Sequence, residues 1–167
     1  MTSPTEPMPN PYFTPRALIA GGAIGVSGLV AAAAMRHLML GSPTIVSPSL
    51  WLPLHLATAI PAIPLGGWVL LRRKGDKLHR LLGRIWAVLM MVAALTSFGL
   101  IGLFGHIGPI HILSVMVVVG VPRAVLAVRK GRIRAHVRGM TIMYGNTIVA
   151  GLFAFLPGRM LGLWLFG

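Results

Sequence analysis

From Ala17 onward the chain alternates long apolar stretches with short polar ones, and the apolar stretches show no period of two. Five of them cover about residues 17–40, 50–71, 81–104, 110–128 and 139–156. Each is close to the ~20 residues that cross a ~30 Å hydrocarbon core. The pattern predicts an all-α, polytopic membrane protein with five transmembrane helices, and spans without alternation argue against a β-barrel. Residues 1–16 hold Pro4, Pro7, Pro9, Pro11 and Pro15 among polar neighbours, which reads as a disordered tail. Residues 17–40 form the first helix, an anchor rather than a cleaved signal, because its apolar run is long for a signal core. Residues 50–156 then make a four-helix bundle. Residues 157–167 follow the Pro157-Gly158 break, are too short to span, and read as an outer interfacial segment carrying Trp164.

Composition sharpens this picture. The 167 residues are 56% hydrophobic and 10% charged, with a mean hydropathy of +0.83. Without cysteine there is no disulfide, thiolate nucleophile, iron–sulfur ligand or covalently attached haem. Only two acidic residues are present, Glu6 and Asp76, so an intramembrane carboxylate relay is excluded. A net charge of +13 would point to nucleic acid if the basic residues shared a water-facing surface. Instead they flank apolar spans, which makes nucleic acid an improbable partner.

The basic residues collect in two segments, Arg72, Arg73, Lys74, Lys77, Arg80 and Arg84, then Arg129, Lys130, Arg132, Arg134 and Arg138. Segments 41–49 and 105–109 have none. The positive-inside rule therefore predicts a multi-pass cell-membrane protein with both basic segments and the N-terminal tail in the cytoplasm, and the C-terminus outside. The inner segments should attract anionic headgroups at ~1 kcal/mol per residue. Small residues in span one (Gly21, Gly22, Gly25, Ser27, Gly28) and span three (Gly99, Gly102, Gly105) suit close helix packing. Pro122 should kink span four, and Arg123 beside it should snorkel to the inner surface.

Spans two and three repeat in spans four and five. Pro53-Leu54-His55 answers Pro109-Ile110-His111, Arg73-Lys74-Gly75 answers Arg129-Lys130-Gly131, Gly83 answers Gly139, and Thr58 answers Ser114, each 56 residues apart. His79 answers His136 with one residue inserted. Two helices separate the copies, so both keep the same orientation, related by a pseudo-twofold axis along the membrane normal. In an up-down bundle of spans two to five, two and four are diagonal, as are three and five. Diagonal axes lie roughly 12–14 Å apart, which leaves room between them.

His55 and His111 fall near the outer ends of spans two and four, while His79 and His136 open spans three and five. Asp76 could cap the third helix, placing His79 in its first turn. Facing pairs could bind two b-type haems axially, His55 with His111 outside and His79 with His136 inside. The layers would be ~24 Å apart along span two at 1.5 Å per residue. Gly83 and Gly139, on the same helix faces as the inner histidines, would admit a flat ring. Another metal, proton handling or purely structural roles remain alternatives for these histidines. Zinc is a weaker fit, since each layer offers two matched nitrogens, although His37 and His106 could extend the outer set.

The stretch from Pro53 to Arg159 resembles an uncharacterised bacterial membrane-protein family, domain of unknown function 2306. The matching elements are His55, His79-Arg80-Leu81-Leu82-Gly83-Arg84, His111, His136-Val137-Arg138-Gly139-Met140 and Pro157-Gly158-Arg159. That likeness implies a membrane protein and carries no activity. The histidine order is also similar to that of two-haem transmembrane cytochromes b, from which the chain departs by shorter spacing and by setting His79 and His136 among basic residues. The leading expectation is a transmembrane oxidoreductase that conducts electrons between a donor and an acceptor the sequence does not name. Arg36, Arg159 and the inner arginines would be available to haem propionates. The alternative is a cofactor-free membrane protein, a small-solute transporter or a helper subunit. Thr141, Tyr144, Asn146 and Thr147 of span five would then line a path or join helices, and Pro61 and Pro64 would break span two.

Overall fold

The computed structural model describes residues 13–41, 50–100 and 108–167. Among them are six α-helices and no strand: α1 Phe13–Leu40, α2 Trp51–Leu71, α3 Lys77–Gly99, α4 Pro109–Arg129, α5 Ile133–Phe153 and α6 Met160–Phe166. Helix α1 takes in Phe13–Arg16, four residues of the segment expected to be a tail, with Pro15 in its first turn, where a missing N–H costs little. His106, Gly102 and Gly105 lie outside the described residues.

Four helices are long and apolar enough to cross a membrane, over Arg16–Leu40, Trp51–Leu71, Lys77–Gly99 and Ile110–Arg129. The expectation of five spans exceeds this by one. Helix α5 has 21 residues, but Arg134, His136, Arg138, Tyr144, Asn146 and Thr147 dilute its apolar character. Tyr144, Asn146 and Thr147 are buried, whereas Ile142, Val149 and Leu152 are exposed. In the middle of α5 the polar Tyr144, Asn146 and Thr147 therefore face the bundle, while Ile142, Val149 and Leu152 face outward.

The most extensive packing is α2 on α3 and α4 on α5, the two hairpins expected from the repeat. Helix α3 packs on α4, and α2 more lightly on α5, closing a four-membered ring. No close backbone approach joins α2 to α4 or α3 to α5, so those pairs are the diagonals. Both hairpin turns use a left-handed glycine, Gly75 at φ 87° and Gly131 at φ 71°, 56 positions apart. We call this end, with its arginines and lysines, the basic end, and the opposite one the histidine end.

Trp86, Met90, Val117, Val121, Met143 and Tyr144 form the centre of the core, with Ala62 and Ala94 beneath them. Two aromatic side chains reach across to α2: Trp86 Nε1 donates to the Ala62 carbonyl at 3.0 Å, and the Tyr144 hydroxyl to that of Ile63 at 3.0 Å. They fit because Gly66 and Gly67 have no side chains. A Cβ at Gly66 would collide with Trp86 and lie 2.7 Å from the Tyr144 ring.

Helix α1 lies over α2 and α5 and carries α6 at its far end. Of its glycines in the membrane span only Gly22 meets a neighbour, Ile148, while Gly21, Gly25 and Gly28 face open space. Helix α6 folds back so that the Trp164 ring stacks on His37, with centroids 4.3 Å apart and planes 9° from parallel. Arg36 Nη1 donates to the Trp164 carbonyl at 3.1 Å.

Candidate functional site

At the histidine end the bundle holds a partly open cavity of about 180 Å³ that the diagonal helices α2 and α4 line together with their neighbours. His55 and His111 both line it, with Ser97, Ser114, Asn146 and Thr147 as its other polar residues deep in the bundle and Arg159 from the segment before α6. The rest of the lining is mostly apolar. The two outer histidines are thus brought to one space by helices whose backbones do not approach closely.

Their hydrogen bonds differ. His55 Nδ1 lies 2.9 Å from the Ala93 carbonyl of α3, so Nδ1 carries the proton and Nε2 keeps its lone pair. Thr96 Oγ1 stands 3.3 Å from the same nitrogen. His111 is buried, and the Gly108 N–H donates to its Nδ1 at 3.1 Å. That leaves the proton on Nε2, which donates to the Ser97 carbonyl at 3.2 Å. Both rings are therefore tied to α3, whereas an exact twofold would send His111 toward α5. The Thr58 and Ser114 pair diverges likewise. Thr58 Oγ1 donates to carbonyls of its own helix, while Ser114 Oγ accepts from Ser97 Oγ at 2.7 Å.

Helix α5 closes the deep side. Asn146 Nδ2 donates to the Leu113 carbonyl at 3.1 Å, and its buried Oδ1 has no partner. Thr147 Oγ1 donates to the Met143 carbonyl at 3.0 Å. Tyr144 and Asn146 thus join helices, and the Thr147 hydroxyl, bonded within α5, also stands 3.3 Å from Met90 Sδ of α3, the second of the two uses considered for them.

At the basic end, Asp76 Oδ1 accepts from the His79 backbone N–H, the cap expected from sequence. Asp76 Oδ2 pairs with Arg72 Nη2 at 2.7 Å. The His79 N–H, and after it the Arg72 guanidinium, hold the Asp76 carboxyl below its ordinary value of 3.8. His136 Nδ1 donates to the Ala124 carbonyl of α4 at 3.0 Å. His136 is thus tied to the helix before its own, whereas the buried Nδ1 of His79 has no hydrogen-bond partner. A Cβ at Gly139 would stand 2.9 Å from Ala124 Cβ, so that glycine serves the contact between α4 and α5. Gly83 meets only Val69, at 3.9 Å. Arg123 is exposed, as are all basic residues of the two turns except Arg72.

An axial ring commonly donates its second nitrogen to a carbonyl, which fixes the tautomer and raises ligand basicity. His55 has that arrangement and a free Nε2. His111 would have to give up the Ser97 carbonyl and move its proton to Nδ1. At the inner layer, Ala124 fills the space beside Gly139 that a macrocycle would need. Among the described residues no group of three or more His, Asp or Glu could hold a metal ion by itself.

No curated protein and no solved structure matches the chain. The family model described as "Predicted membrane protein (DUF2306)" matches residues 52–163, from the start of α2 into α6. An integral membrane protein with an all-helical bundle agrees with that description, and with two thirds of its length matched the chain belongs to the DUF2306 family of predicted membrane proteins.

Proposed function

We propose that the cavity at the histidine end is a redox-cofactor site, holding one b-type haem between His55 and His111. The observation that carries this is the placement of two histidines, on helices whose backbones do not approach closely, in one mostly apolar cavity. Bound there, an iron porphyrin supplies a one-electron ferric/ferrous couple. The chain's own residues do the rest. His55 presents Nε2 because the Ala93 carbonyl holds Nδ1–H. The proposal is confined to the outer layer, since at the inner one Ala124 packs on Gly139 and its carbonyl holds His136. Both basic turns share one end, so by the positive-inside rule that end faces the cytoplasm and the cavity lies toward the outer face.

A second reading is favoured by His111, whose two nitrogens are both engaged. The cavity's 180 Å³ is also below the ~300–1,000 Å³ of ordinary ligand pockets. On that reading the protein is cofactor-free and the cavity takes a small solute. Visible spectroscopy of detergent-purified protein expressed with ample haem decides between them. A reduced-minus-oxidised b-type signal, lost in both His55→Ala and His111→Ala, is the expected result. No signal in the parent protein removes the haem and leaves the solute site.

A further inference from the structure

A second concavity lies on the opposite half of the molecule. It is a furrow of about 490 Å³ between α1 and α2, running toward the basic end. Ala20 and Ser27 border it on α1, and Pro64, Gly67, Trp68 and Arg72 on α2. Small residues create it. A Cβ at Gly67 would lie 2.7 Å from Ala23 Cβ, so the two backbones nearly touch there and have no bulk with which to fill the flanks. Trp68, 63% exposed, forms a rim instead.

The furrow is apolar along its length and cationic at one end. Arg72 marks that end, with Nη2 fixed on Asp76 at 2.7 Å and a buried Nε that has no partner. A guanidinium offers five N–H donors in a rigid fork, and Asp76 holds this one in place while occupying only part of it. Arg73, Lys74 and Lys77 stand exposed beside it, against the single acid Asp76. Deeper in the furrow, Ser27 Oγ is a second buried group without a partner. On α2 the distance from Arg72 to Pro64 is ~12 Å at 1.5 Å per residue.

We infer that this furrow binds one phosphate-bearing membrane lipid, with the headgroup phosphate on Arg72, an ester group at the level of Ser27 and acyl chain along the apolar wall. The occupant follows from the two chemistries in series. The cationic end matches an anionic phosphate, and the apolar length beyond it gains nothing from a soluble anion. One wall belongs to α1, which precedes the family-matched residues 52–163, so the site arises where this helix meets the matched core.

Native mass spectrometry of the full chain in detergent tests this, with phosphatidylglycerol as the probe and diacylglycerol of the same chains as the phosphate-free control. The parent should retain phosphatidylglycerol at least tenfold more than diacylglycerol. Arg72→Gln should lower that retention about tenfold. Arg73→Gln removes the same charge from an exposed neighbour and should change it less than twofold. Ala20→Phe fills the furrow without disturbing the Arg72–Asp76 pair, and should lower retention as much as Arg72→Gln. If Arg72→Gln fails to fold, Ala20→Phe alone decides. Equal loss in Arg72→Gln and Arg73→Gln, equal retention of both lipids, or unchanged retention in Ala20→Phe would overturn the site.

Discussion

The Tyr144 hydroxyl on α5 donates to the Ile63 carbonyl on α2 across 3.0 Å, joining two helices from opposite halves of the repeat. Six residues of α2, Ala62 to Gly67, contain this bond, the Trp86 bond to Ala62, and the glycine pair that lets both rings approach. Removing only the hydroxyl isolates its contribution. Tyr144→Phe should lower stability in detergent by about 1 kcal/mol, the usual net value of one internal hydrogen bond. Gly66→Ala should cost more, about 1–3 kcal/mol, because its methyl has to displace two packed rings. Thermal unfolding followed by helical circular dichroism ranks the two, and a smaller effect for Gly66→Ala would mean the rings are free to shift.

Features set by neighbours in sequence or by the lipid solvent were legible before the structure. The Asp76 cap is a contact over three residues, and hydropathy marks any helix that lipid surrounds. Gly75 and Gly131 could be matched because a turn's conformation is local. The bonds of Tyr144, Trp86 and His111 depend on how helices far apart in sequence are rotated, which period and composition do not encode. The adjacent glycines Gly66 and Gly67, just after Pro64, were the one available signal for the aromatic contacts. Helix α5 escaped the span count for a related reason: besides the exposed Arg134 and Arg138, it carries Tyr144, Asn146 and Thr147 in the interior, where hydropathy counts them against it.

The Asp76 cap should make stability depend on pH at the acid end. Its carboxyl lies below 3.8 in the folded protein, so the unfolded chain takes up the proton first as pH falls. The contribution is complete above that ordinary value and is lost as pH drops through the lowered folded value. The difference in unfolding midpoint between the parent and Asp76→Asn, in which the histidines cancel, should therefore be level from pH 7 to about pH 5 and shrink below pH 4. A difference that stays constant below pH 4 would assign the acid dependence elsewhere.

The hydroxyls of Ser97 and Ser114 meet at 2.7 Å beside the cavity. A double-mutant cycle with Ser97→Ala and Ser114→Ala should give a coupling of ~0.6 kcal/mol, the typical value for a hydrogen bond between membrane helices. The same variants bear on the cavity: neither hydroxyl is a proposed ligand, so both should retain any haem signal that His55→Ala abolishes. Zero coupling would show that the hydroxyls bond elsewhere.

The two hairpin turns give the most direct test of the repeat. Gly75 and Gly131 sit 56 residues apart at φ 87° and 71°, in a region where a Cβ crowds the following carbonyl, and neither has a neighbour within 4 Å. Replacement by alanine therefore meets backbone strain alone, which for a left-handed residue is ~1–2 kcal/mol. Gly75→Ala and Gly131→Ala should lower the unfolding midpoint by equal amounts, and the double variant by their sum, since the turns belong to different hairpins. Gly108→Ala is the control: this glycine too has open space around it, but φ is −108°, so its cost should be small. Unequal losses at Gly75 and Gly131 would mean that the two hairpins share a sequence pattern without sharing a turn.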